Sequence, residues 1–181
     1  NYIGLIDIFR KKYGDNIDLC HRLDKTTSGC LVFGKNKKAI KNFTDCLLNK
    51  KVKKTYTAII KGSFKGEQII NNAIYKNDKL KSKNATSKFL SIELLRNTTL
   101  VDIKIFTGRT HQIRIHASQI NHPILFDKKY GDTQFDESLN IGKYNMALHS
   151  KEISFPDIDS NIIKVSSGYP DDFKDLIKNL R

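Results

Sequence analysis

The stretch "NATSKFLSIELLRNTTLVDIKIF" (84–106) does most to limit the folds open to this chain. Two strand-length runs flank an Arg96-Asn97-Thr98 turn, and in the second run Val101, Ile103 and Ile105 alternate with Asp102 and Lys104. A period of two places alternate side chains on opposite faces, so 99–106 reads as a half-buried strand beside 84–95. "KKTYTAIIKG" (53–62) reads as another strand closed by Gly62, "GCLVFGKN" (29–36) as a short buried strand, and "NMALHSKEISF" (145–155) as a further one. Helical patterning is confined to a few places. "YIGLIDIFRKK" (2–12) is amphipathic and ends before Gly14, and 37–49 puts Ala39, Ile40, Phe43, Cys46 and Leu47 on one face. "PDDFKDLIKNLR" (170–181) turns Phe173, Leu176, Ile177 and Leu180 inward behind a Pro170–Asp171 start. "TGRTHQIRIHASQI" (107–120) fits either state: Gln112 to His116 alternate, yet Ile113, Ala117 and Ile120 share a helix face. "NHPILFDKKYGD" (121–132) reads as loop and turn. Strands separated by few helices predict an α+β fold with a mixed, mostly antiparallel central sheet and flanking helices. With no internal repeat and no long linker, residues 1–181 read as one domain.

No apolar run approaches the length needed to span a bilayer. The formal net charge of +13 implies a polyanionic partner, nucleic acid foremost. The chain is also rich in Lys, Asn and Ile, and compositional drift would raise Lys without any partner. Arginine separates the two readings. Only six are present, and three of them, Arg22, Arg109 and Arg114, fall in "HRLD" and "GRTHQIR", where a flat bidentate fork does what Lys cannot. Cys20, Cys30 and Cys46 are odd in number and form no CxxC, which fits a reducing cytoplasm without structural disulfides. His111, His116 and His122 lack the spacing of a metal-binding pair, so no metal is expected.

The segment "CHRLDKTTSG" (20–29) packs His, Arg, Asp, Lys and three hydroxyls around a single Leu23. Alone, Asp24 is most simply a turn acid. The strings "HRLDKTTSGCLVFGKN", "KKTYTAIIKG", "TGRTHQIRIHASQINHPILFDKKYGD" and "ALHSKEISF" together resemble, in order and spacing, the RluA-type family of RNA pseudouridine synthases. The resemblance runs from about residue 18 to the C-terminus. It implies isomerisation of uridine to pseudouridine with no cofactor, in RNA and most specifically in 23S ribosomal RNA or a pre-ribosomal particle. It also implies that the family's first motif, a strand segment with an "NKPxG"-like string, and its accessory RNA-binding domain are missing, so an N-terminal part of the fold is expected to be absent.

The resemblance assigns catalysis to Asp24 as nucleophile, Tyr56 as stacking ring or base at C5, and Arg114 as the partner of Asp24. A carboxylate must stay ionised to attack, and a cation beside it favours that form. A planar Arg114 fork gripping both oxygens of Asp24 would also aim it. Arg22, two residues before Asp24, would enter the RNA stack where the target base has left. The remaining RNA-binding candidates are His21, which reads equally as structural, and Arg109, His111 and Gln112, which read as phosphate contacts or organisers of the Asp24 loop, or else as helix-start hydrogen bonding. Lys clusters at 50–54, 79–83 and 128–129 read either as generic phosphate contacts or simply as solvated faces. A monomer is expected. The competing reading is a non-catalytic basic RNA-binding or ribosome-assembly module on the same fold.

Overall fold

A computed structural model of the chain describes residues 4–75 and 82–181. The start of the first expected helix and most of the 79–83 lysine cluster lie outside the described residues. The helices are α1 (Leu5–Tyr13), α2 (Lys37–Leu48), α3 (Gln112–Gln119), α4 (Thr133–Ser138) and α5 (Asp171–Asn179). The strands are β1 (Asp18–Leu19), β2 (Ser28–Gly29), β3 (Phe33–Gly34), β4 (Lys53–Lys61), β5 (Glu67–Ile70), β6 (Ile74–Tyr75), β7 (Ser82–Lys83), β8 (Ser87–Leu95), β9 (Thr98–Ile105), β10 (Leu148–Pro156) and β11 (Ile162–Ser166).

The central sheet runs β11-β10-β4-β9-β8-β5, every neighbour antiparallel, with β2 added in parallel alongside β10. The architecture is thus α+β with a mostly antiparallel sheet. The β8–β9 turn falls at Arg96–Asn97, and Asn97 takes φ 52°, a left-handed value that Asn tolerates better than most side chains. β9 is less one-sided than its alternation implies, since Thr98 to Val101 are all buried. The second face is closed by the 62–64 loop. Thr99 can sit there because its hydroxyl donates to the Gly62 carbonyl (2.7 Å) and accepts from the Phe64 N–H (2.9 Å).

The expected strand over 29–36 is instead two short pieces with different partners. β2 pairs with β10 (His149↔Ser28, Ser150↔Gly29), and β3 pairs with β1. Gly29 at φ 106° makes the bend, and a Cβ there would run into the backbone carbonyl of Ser150. β10 accommodates this neighbour with a bulge between His149 and Glu152. β11 then takes over the same edge from Glu152 onward.

The main core packs Ile59, Ile60, Phe89, Val101, Ile103 and Leu125 against Ile113 and Ala117 of α3 and Phe173, Leu176, Ile177 and Leu180 at the C-terminal helix. The expected inward face of that last helix is the buried one. The α2 face is covered less than expected. Phe43 and Cys46 are buried over Ile153 and Phe155, while Leu47 is largely exposed. The 107–120 stretch resolves as helix from Gln112 onward.

Candidate active site

Asp24 sits at the tip of a loop whose two arms are tied together. The Cys20 N–H donates to the Val32 carbonyl (2.9 Å), and the Val32 N–H donates to His21 Nε2 (3.2 Å). A turn bond from the Thr27 N–H to the Asp24 carbonyl (2.9 Å) shapes the tip, and the Cys30 N–H is anchored to the Ser150 carbonyl (2.8 Å). A loop of charged residues therefore holds a fixed position against the sheet.

Arg114 is the third residue of α3, in its first turn, and meets two carboxylates. Its Nε donates to Asp127 Oδ2 and its Nη2 to Asp127 Oδ1, both at 2.7 Å, while Nη1 donates to Asp24 Oδ2 at 3.1 Å. The bidentate fork expected on Asp24 is therefore closed on Asp127, and Asp24 receives the remaining arm. Geometry gives the reason. Of the two fork edges of a guanidinium, Asp127 fills the Nε/Nη2 edge from a buried position, its side chain only 1% exposed, and with Nη2 engaged there Nη1 is left to face Asp24. Burial by itself would push the Asp127 carboxyl up. The Arg114 fork and the N–H groups of Lys129 (2.9 Å) and Tyr130 (3.2 Å) outweigh it and hold that carboxyl below its ordinary value. The Asp127 fork, helped by the Asp24 contact and opposed by burial, raises Arg114 above the usual guanidinium value, so it stays charged.

Asp127 was not among the sequence-derived candidates. The signal available for it was the acid inside "ILFDKKYGD", a string read only as loop and turn. Lys54 was likewise seen only as part of a lysine cluster. On β4 it stands two residues from Tyr56, hence on the same face, and lines the same cleft. Burial lowers its amine to about 8.

The cleft holds about 280 Å³ and is walled by His21, Arg22, Leu23, Asp24, Lys54 and Tyr56 on one side, and by the 108–114 segment on the other. Tyr56 is 7% exposed, so little ring surface is open for stacking. Burial pushes its hydroxyl up to about 12, with Asp24 adding to the effect and the Ser150 side chain opposing it. At neutral pH it is a phenol. Arg22 is exposed at the rim, in reach of a bound polymer. His21 is turned inward, stacked on Phe43 at 5.8 Å, and burial, reinforced by Lys54, lowers its imidazole to about 4.

His111 caps α3 in a left-handed conformation (φ 55°). One ring nitrogen meets the Tyr130 hydroxyl at 3.1 Å and the other lies 3.9 Å from Asp24. Arg109 is exposed, with Nε donating to the Asn84 carbonyl (3.2 Å).

Gln112 does not fit the RNA-binding role. It is 3% exposed, and its amide donates to the Thr86 carbonyl and Ser87 Oγ (both 2.9 Å). Its carbonyl oxygen accepts from Thr107 Oγ1 (2.7 Å) and the Arg109 N–H (3.1 Å). With every polar atom engaged, Gln112 fixes the 107–111 loop and has nothing to offer a ligand. Among the described residues, no group of three or more His, Cys, Asp or Glu side chains has the arrangement of a metal centre.

Residues 5–119 match the family described as RNA pseudouridylate synthase. Ribosomal large subunit pseudouridine synthase C of Haemophilus influenzae is 36% identical over 151 residues, covering 77% of this chain and 47% of the relative. The protein of that name from Buchnera aphidicola is 33% identical over 198 residues, covering 99% of this chain and 62% of the relative. The chain thus spans about half the length of the curated relatives it matches. Among solved structures, Human RNA Pseudouridylate Synthase Domain Containing 1 superposes with a TM-score of 0.81 at 26% identity, over 92% of this chain and 74% of that one. Human RNA Pseudouridylate Synthase Domain Containing 4 has the same fold, with a TM-score of 0.80 at 21% identity over 94% of this chain and 79% of that one.

Proposed function

Since the chain belongs to the RNA pseudouridylate synthase family, we propose that it isomerises uridine to pseudouridine in RNA, with large-subunit ribosomal RNA as the substrate and Asp24 as nucleophile. The observation that carries this is the aimed carboxylate. Asp24 lines a cleft beside an Arg114 whose plane is locked by Asp127, leaving one N–H arm directed at Asp24 Oδ2 (3.1 Å). A module that only binds RNA would gain nothing from carboxylates placed where the polyanion approaches.

The reaction conserves atoms and oxidation state. The C1′–N1 bond breaks, the detached uracil turns, and C5 bonds to C1′. The C5 proton is lost and N1 gains one. Asp24 acts on the target nucleotide as a charged group held in place, so proximity and aim supply much of its effect. Tyr56 closes the cleft at the base and handles the C5 proton. Leu23 and Ile113 pack around the pair and limit water. Arg22 at the rim fills the stack vacated by the extruded base.

The test is the Asp24→Asn variant in full-length protein, which keeps shape and removes charge. Pseudouridine mapped across 23S ribosomal RNA from cells carrying the wild-type protein should disappear at specific positions with the variant. RNA affinity should hold or rise. Conversion above background by Asp24→Asn overturns the nucleophile assignment, and an unchanged map in cells lacking the protein overturns the substrate.

A further inference from the structure

Behind the 108–111 segment lies a second, larger groove of about 720 Å³, lined by Tyr75, Lys83, Arg109, His111, Lys129 and Tyr130 among others. Gly108 to His111 line both this groove and the Asp24 cleft, so a single stretch of backbone separates the two. We infer that the groove holds a second nucleotide of the bound RNA, its base stacked on Tyr75 and its phosphate held by Arg109 and Lys129. The inference rests on the reading of this protein as one that acts on RNA.

Charge supports the occupant. Lys83, Arg109 and Lys129 line the groove, and no Asp or Glu among the described residues does. Arg109 is held in place, its Nε tied to the Asn84 carbonyl (3.2 Å), and Lys129 Nζ lies over the Tyr130 ring. The choice between the two tyrosines also follows from contacts. Tyr130 is already used: the Arg114 guanidinium lies 5.0 Å from its ring centre, Lys129 Nζ lies 5.2 Å away, and His111 packs edge-on at 5.6 Å. Tyr130 is therefore taken up by its own neighbours. Tyr75 is 63% exposed, held on the short β6–β7 ladder whose Ile74 is buried. An exposed ring on an anchored ladder, facing a cationic floor, is the pairing used for single-stranded nucleic acid, in which aromatic faces take bases and cations follow the backbone. The opposite wall of the Asp24 cleft then has a second purpose, as a divider that forces consecutive nucleotides apart.

The test is binding of fluorescein-labelled hexauridylate, and of an abasic ribose-phosphate hexamer of the same length, to wild-type protein and to Tyr75→Ala and Tyr75→Phe. Stacking worth the usual amount per base means that Tyr75→Ala loses about 5- to 150-fold on hexauridylate and nothing on the abasic chain. Tyr75→Phe, which keeps the ring, should stay within about twofold of wild type. Equal affinity of Tyr75→Ala and wild type for hexauridylate overturns the inference, as does an equal loss on both oligomers, or no binding of hexauridylate by wild type. Turnover is not read in this assay. A loss at Tyr75 in a protein that converts no uridine would leave the groove standing and overturn the catalytic reading instead.

Discussion

Replacing Asp127 by Asn preserves the side chain's shape and leaves the Arg114 fork facing one acceptor and one donor where it had two acceptors. The guanidinium then loses its fixed plane, and the arm to Asp24 loses its aim. Single-turnover rate on an RNA fragment should fall by about 100-fold or more, on the scale of a small misplacement in a catalytic site, with RNA affinity little changed. Asp127→Ala should also cost stability, at most about 3–5 kcal/mol, because it leaves the largely buried Arg114 with the single Asp24 contact only, and thermal unfolding would read that loss. Arg114→Lys belongs with it. Lys has no planar fork to grip Asp127 through two parallel bonds, so the arm to Asp24 loses its aim and the rate order wild type, Lys, Ala should hold. An Arg114→Lys protein as fast as wild type would reduce Arg114 to a local charge. Tyr56 raises a separate question of protonation. Its hydroxyl is pushed up to about 12, so a phenolate acting at C5 would make the rate climb roughly tenfold per pH unit between about 7 and 9.5. Tyr56→Phe should be slow and lack that climb, whereas a flat wild-type profile would leave Tyr56 as a cleft wall only.

The loop that carries Asp24 depends on two features of its flanks, and each can be perturbed. Gly29→Ala asks a Cβ to occupy the place of the Ser150 carbonyl at φ 106°, so β2 must detach from β10. A loss of about 1–3 kcal/mol or more in thermal unfolding is expected, with catalysis falling further than stability. His21 adds an acid-side signature. Its imidazole is lowered from 6.5 to about 4 in the folded chain, so the unfolded chain binds the extra proton first. Its contribution is complete above about pH 6.5 and is lost as pH falls toward about 4, on the order of 3 kcal/mol in all. The difference in unfolding free energy between wild type and His21→Phe should shrink over that window. A pH-independent difference would mean that His21 is not held neutral. These elements were unevenly legible in the sequence. β4, β8, β9 and the terminal helix could be read because their burial is periodic or continuous. β11 could not, since every residue in it is exposed and no alternation marks it. Nor could the division of 29–36, which is decided by which neighbour each half meets. At the site, Asp24, Tyr56 and Arg114 were found through residue strings, and the structure brings them to one cleft. Asp127 was missed because nothing local distinguishes a buried loop acid from an exposed one; only the Arg114 guanidinium arriving from α3 does.

The whole molecule carries a formal net charge of +13, and RNA binding should weaken steeply with salt as counterions are released. A plot of log affinity against log salt for a single-stranded RNA should fall with a slope reflecting several phosphate contacts, about 0.7 per contact. A flat plot would assign the excess lysine to composition alone. Yet the charge is not spread evenly. Two carboxylates share one guanidinium at the floor of the Asp24 cleft, while Arg22 and Arg109 stand at its edge. A polyanion is drawn to the cations of the rim, whereas on the floor Lys54 and Arg114 only offset Asp24 and Asp127, so phosphates find no net pull there. The uncharged base can leave the rim for that floor without giving up a charge contact, and a phosphate cannot. On the proposed reading, the pairing of Asp24, Arg114 and Asp127 would act as an orientation filter, favouring entry of a nucleotide base first.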